Sequence, residues 1–273
     1  MKPQFHLPLP TYPDAGSFTV VDNALDLARH NGAELVASIP QVRVPRISPP
    51  FPTAIDIDTW RAQAESFSLN SATALKEHLA DAHSESGVTV RVHDFEAREP
   101  FVFERFARIG RAHDLSIVEA SELSRQLSET LLFETGRPIV LFPATSVSSR
   151  FDTVAIAWDG SVAAARAVCA ARIFMERATR LQVISVTDDK EIDEGDRMMF
   201  ISALRYSGYQ VDDIPVQAYE ESPTAALQAA AAEGRADLLV AGGYGHSRFR
   251  EFILGGVTRD LLVRTTLPTL LAH

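Results

Sequence analysis

The sequence predicts an α/β fold: two tandem units, each a five-stranded, mainly parallel sheet flanked by helices. Three observations predict it. Short apolar strands alternate with helical periodicity along the whole chain, which argues for parallel strands joined by crossover helices. The landmarks of the first half return in the same order in the second, an internal repeat. Both halves also end alike: residues 131–141 match residues 261–271, where a helix end leads through Pro138 or Pro268 into an apolar strand.

In order, residues 5–9 read as the first strand. Asp14-Ala15-Gly16-Ser17 follows, then a helix to about His30 that Asn31-Gly32 stops. Pro8, Pro10 and Pro13 suit an edge or irregular entry for that strand, because proline cannot donate to a ladder. Residues 34–39 form the second strand. Residues 40–53 hold Pro40, Pro45, Pro49, Pro50 and Pro52 and read as an extended surface excursion. Residues 58–83 place Ala62, Phe67, Leu69, Ala74, Leu75 and Leu79 near helical spacing. Gly87 ends that helix, and residues 88–92 alternate as a strand. Pro100 opens another helix, since proline suits a first turn. Residues 114–118 and 139–142 supply the last two strands. The polar segment 146–150, just after Pro143, marks the boundary, so the units are residues 1–148 and 149–273.

The second half repeats the plan. Residues 153–158 form a strand, Asp159-Gly160-Ser161 a turn, and an alanine-rich helix runs to about Arg177. Cys169, inside that helix, is expected to be buried as a small hydrophobe. Residues 181–186 form a strand. The acidic run 188–194 reads as a solvated loop entering a helix that Gly208 stops, carboxylates being favoured at a helix N-terminus. A strand at 213–219, a helix from Pro223 and a strand at 237–241 complete the repeat.

The chain is organised around residues 241–258, where Gly242 and Gly243 close a strand and Gly255 and Gly256 open a helix. Glycine allows close backbone approach, and the free N–H groups of a helix N-terminus attract anions. The pattern therefore describes a phosphate cradle, although an ordinary tight βα turn would use similar glycines. No Gly-Lys-Ser/Thr follows, as a Walker loop requires, and the glycines are too far apart for the dinucleotide fingerprint. The first half is shorter here by about seven residues, and its turn, Glu119-Ala120-Ser121-Glu122, has two carboxylates and no glycine. Such a turn repels phosphate.

The spacing Gly242, two residues, Gly245, nine residues, Gly255 resembles the universal stress protein family. The resemblance extends over nearly the whole chain as a tandem member, the second copy being the better match. It implies two Rossmann-like domains of the adenine nucleotide alpha hydrolase-like kind. It implies a site for ATP, or for AMP or ADP, in the second copy, and Mg²⁺ would accompany the phosphates. By the same resemblance Asp159 lies near the adenosine and Val186 meets adenine through its backbone. Gly242, Gly245, Gly255, Gly256 and Val257 hold the phosphates, and Arg248 sits inside the loop as a charge-assisted donor. Gly256 stands where the family carries Ser or Thr. Relatives dimerise through their last strands, so residues 139–142 and 269–272 are expected to pair within one chain as a pseudo-dimer, and a homodimer is compatible with this.

Composition narrows the partners. The chain has 273 residues and a net charge of −10, the wrong sign for a nucleic acid or an anionic membrane surface. One cysteine permits no disulfide within the chain and suits a reducing cytoplasm. No leader pattern or long apolar span is evident in the sequence. The eight histidines show no metal-ligand spacing, and His246-Ser247 is not a catalytic pair by itself. No general base sits beside the cradle. The residues thus favour a nucleotide-binding stress-response module over an enzyme, with slow ATP hydrolysis as its limit. The competing readings are a stress protein that acts by protein association without nucleotide, and an ATP pyrophosphatase-like enzyme, which would want a Ser-Gly-Gly loop after the first strand.

Overall fold

The computed structural model describes residues 2–46, 56–189, 192–243 and 256–273. In the first half, strands β1 (Gln4–Pro8), β2 (Glu34–Arg43), β3 (Val90–Arg98), β4 (Leu115–Glu119) and β5 (Ile139–Phe142) alternate with helices α1 (Phe18–Asn31), α2 (Ile57–Ser86), α3 (Val102–Gly110) and α4 (Arg125–Glu134). In the second, strands β6 (Thr153–Ala157), β7 (Arg180–Val186), β8 (Val211–Val216), β9 (Leu238–Gly242) and β10 (Thr269–Ala272) alternate with α5 (Val162–Ala170), α6 (Arg172–Met175), α7 (Glu194–Tyr206), α8 (Pro223–Glu233) and α9 (Val257–Val263).

Helix starts follow local chemistry. Ser17, Asp56, Ser161, Asp193 and Ser222 each accept the amide three residues on with their side chains, satisfying a donor the helix leaves free. Gly32 and Gly87 close α1 and α2 in the left-handed conformation.

The strands form one ten-stranded sheet, β3-β2-β1-β4-β5-β10-β9-β6-β7-β8. Every pairing is parallel except β5 with β10, where Leu141, Val140 and Ile139 face Thr269, Leu270 and Leu271. Read inward from either edge, the strand order is the same. The last strands therefore do pair, and they fuse the two five-stranded sheets into one.

Alternate residues of each strand feed two cores, one on each face, as the period of two demands. Val140, Val154 and Leu270 join α1, α2, α5, α6 and α7 on one face. Ile139, Leu141, Ala155 and Leu271 join α3, α4, α8 and α9 on the other. Equivalent helices of the two halves thus share a face, which an antiparallel seam produces when the halves are related by a twofold normal to the sheet.

Three expectations need correction. β1 is not an edge strand: it lies between β2 and β4. Pro8 is its last residue, and Pro10 and Pro13 lie beyond it, so the ladder loses little. β2 does not stop before Pro40 but runs through it to Arg43, paired with β3. Beyond the end of β1, α2 takes over the free edge: the Ser68 hydroxyl accepts the Val42 amide and bonds Thr11, whose hydroxyl donates to the Pro40 carbonyl. Cys169 is exposed, because the buried stripe of α5 is Ala163, Ala164 and Ala167.

Candidate functional site

In an open parallel sheet, ligands bind where neighbouring strands send their chains in opposite directions, outside the carboxyl ends. In the second half that point lies between β6, whose chain continues to β7, and β9, whose chain continues to β10. Asp159 follows β6, Val186 ends β7, and Gly242 ends β9, so the structure brings these three to one edge. Asp159 turns its Oδ1 to the Ser161 amide, 3.0 Å away. Gly160 between them has φ of 72°, a conformation natural to glycine. Val186 is buried. Next to it, Thr187 donates its amide to the Val216 carbonyl, and Asp188 accepts the amides of Ala218 and Tyr219, each at 2.9 Å. Those two bonds hold the Asp188 carboxyl below its ordinary value. The acidic run thus begins as a brace between two strand ends.

Gly242 is required by space, and Gly243 has a side chain of the first half in the place of a Cβ. A Cβ on Gly242 would lie 2.6 Å from the Ala164 nitrogen and 2.7 Å from the Ala163 carbonyl carbon, in the first turn of α5. A Cβ on Gly243 would lie 2.8 Å from Cδ2 of Leu132, in the first half. Gly256 caps α9 in extended conformation with no side-chain bond, and Val257 is the first helical residue. Gly245, Arg248, Gly255 and the pair His246-Ser247 lie outside the described residues.

The first half shows what the same position becomes with a carboxylate. Register places Glu119 opposite Phe142 as Gly242 is opposite Ala272. Glu119 therefore occupies the place of Gly242. Its Oε2 accepts the hydroxyl of Ser17, the cap of α1. The first half thus carries its own anion where the second half has no side chain and packs its strand end against α5. Ser124 donates to the Glu119 carbonyl and bonds Ser121, so the turn folds back on itself.

Two features escaped the sequence. Trp158, just before Asp159, stacks on Phe200 of α7 with ring centroids 3.7 Å apart and planes within 8°. Its Nε1 is buried without a hydrogen bond among the described residues. The apolar residue ahead of Asp159 hinted at a buried ring, but Phe200 lies a helix away. The other is the contact of Leu132 with Gly243, which joins the two halves. No group of three or more His, Cys, Asp or Glu side chains able to hold a metal is found among the described residues. Nor is any described helix long and apolar enough to cross a membrane.

Comparison with known proteins agrees with this geometry. The model of the Universal stress protein family matches residues 150–273. The crystal structure of a universal stress protein from Archaeoglobus fulgidus DSM 4304 covers 98% of this chain and 95% of its own, at 19% identity and a TM-score of 0.71. A functionally unknown protein from Pseudomonas aeruginosa PAO1 covers 98% and 92%, at 15% identity and a TM-score of 0.57. At such identities the likeness is one of fold. No curated protein matches the sequence. Residues 150–273, the part that matches the universal stress protein family, are set edge to edge with a first half of the same strand order.

Proposed function

We propose that the protein binds one adenine nucleotide, ATP or its AMP or ADP form, at the carboxyl edge of the second half, and that it acts as a stress-response binding module rather than as an enzyme. The observation that carries this reading is the contrast at one register position. Gly242 puts no side chain at the strand end of the second half, where α5 packs close, whereas Glu119 puts a carboxylate at the equivalent place and bonds the cap of α1. In this reading Asp159 and the backbone of Val186 hold the adenosine. Gly242, Gly245, Gly255, Gly256 and Val257 hold the phosphates, Arg248 adds charge, and Mg²⁺ arrives with the nucleotide. The first unit, residues 1–148, is a structural partner of the second, residues 149–273, in a pseudo-dimer within one chain that works in the cytoplasm.

Gly256 weakens the site without abolishing it. Glycine is a fair helix cap. The hydroxyl that Ser or Thr would add is worth about 1.5–3 kcal/mol as a bond to a charged group, or roughly tenfold to hundredfold in affinity. Isothermal titration should show ATP binding by the natural chain and tighter binding by Gly256→Ser, and mass spectrometry of the purified protein should find an adenine nucleotide. The bare cap of α9 also favours a second reading, in which the protein acts by association alone. Absence of binding by both forms would establish that reading in place of the first.

A further inference from the structure

Gly243 is held from three sides. Its amide donates to the Ala272 carbonyl at 2.7 Å. Its carbonyl lies 3.0 Å from Nδ1 of His273. The third contact comes from the other half of the molecule: Leu132 of α4 fills the space a Cβ would need, its Cδ2 only 2.8 Å from that position. The neighbouring residue of α4, Phe133, meets the edge of the His273 ring at a centroid distance of 4.9 Å and an angle of 74°. Two successive residues of the first half therefore bear on the residue from which the glycine-rich loop departs.

The geometry differs from an ordinary interface in one respect. Gly243 has no left-handed φ, so its backbone does not call for glycine. What calls for glycine is Leu132, 2% exposed and packed among Leu127, Leu131 and Leu262 in one core. A side chain so enclosed has little room to withdraw. At the register-equivalent position the first half carries Ala120, whose amide makes the matching bond to the Phe142 carbonyl at 2.8 Å. The two halves are thus alike in backbone here, and the second alone has given up its Cβ.

We propose that the first half is a positioning element for the loop of the second. Leu132, seated against Gly243, fixes the end of β9 from which the chain enters the proposed phosphate loop. The role of Leu132 is indirect, since it touches the loop entry and not the ligand. The proposal rests on the nucleotide reading for what the loop holds, but not for the contact itself.

A double substitution tests it. Gly243→Ala drives a methyl into Leu132 and should weaken ATP binding roughly tenfold. Leu132→Ala frees the loop entry and should weaken it to a similar degree, while Leu132→Met, which conserves volume, should not. Leu132→Ala combined with Gly243→Ala removes the clash, so the pair should bind more tightly than Gly243→Ala alone. Trypsin supplies a readout that needs no nucleotide, because Arg248 and Arg250 lie within the loop sequence. Cleavage at these arginines should be faster in each single Ala variant and slower again in the pair. If neither single variant alters cleavage, or if the pair is cleaved as fast as Gly243→Ala, the proposal is overturned. Altered cleavage in a protein that binds no ATP would overturn the nucleotide reading and leave the positioning role standing.

Discussion

His6 sits in the middle of the first half's sheet with no exposure to solvent. Its Nδ1 is 3.0 Å from the Ser116 hydroxyl and its Nε2 is 2.6 Å from that of Ser38, one on each neighbouring strand. Burial, helped by His113 and His93, pushes its pKa from 6.5 down to about 3. The unfolded chain takes up this proton near pH 6.5 and the folded chain does so only near pH 3. The contribution to stability is therefore complete above pH 6.5 and is lost as pH falls through that window, by up to about 1.4 kcal/mol per pH unit. His6→Gln should flatten the acid slope of stability between about pH 6 and pH 4 in urea unfolding. An unchanged slope would show that His6 charges readily in the fold. The sequence showed a histidine in a strand, but not the two serines that satisfy it, because pairing across strands is set by register. Gly242 and Gly256 were legible as members of a spaced pattern. The reason for Gly243 was not, since Leu132 supplies it from the other half. Cys169 was misplaced because it was read by residue type, although Arg166, three residues earlier, marks the exposed face of α5.

At the scale of elements, the link between the halves is fastened along α1. Asn23 is 1% exposed. Its Nδ2 donates to the Thr145 carbonyl at 3.0 Å, and its Oδ1 accepts the Val147 amide at 3.2 Å. Asp26 accepts the Ser149 amide at 2.9 Å. In the polar segment 145–149, Thr145, Val147 and Ser149 each hand a backbone group to α1. The same polarity marked it as a boundary in the sequence, so the place was legible and its fastening was not. Asn23→Ala leaves the part-buried Thr145 carbonyl and Val147 amide without this partner, and denaturant unfolding should show a loss of about 1 kcal/mol. A loss within error would mean that the segment contributes nothing to docking. The succession of elements followed from the repeat, whereas strand length did not. Pro40 argued against a strand, but β2 tolerates it where β1 has ended and α2 covers the edge.

On the scale of the whole molecule, repeated topology has produced two unequal halves. The antiparallel seam of β5 and β10 buries the strand ends Ile139, Leu141, Leu270 and Leu271 completely. Two copies of one fold thus become a single sheet. The proposed division of labour lies in Glu119 and Gly242. Its clearest test is the number of nucleotides bound by the full chain, measured by isothermal titration with ATP. One nucleotide per chain is predicted, with binding lost in Asp159→Ala and Gly245→Val and the stoichiometry unchanged in Glu119→Ala. Two equivalent sites per chain, or binding undiminished in Asp159→Ala and Gly245→Val, would contradict the account.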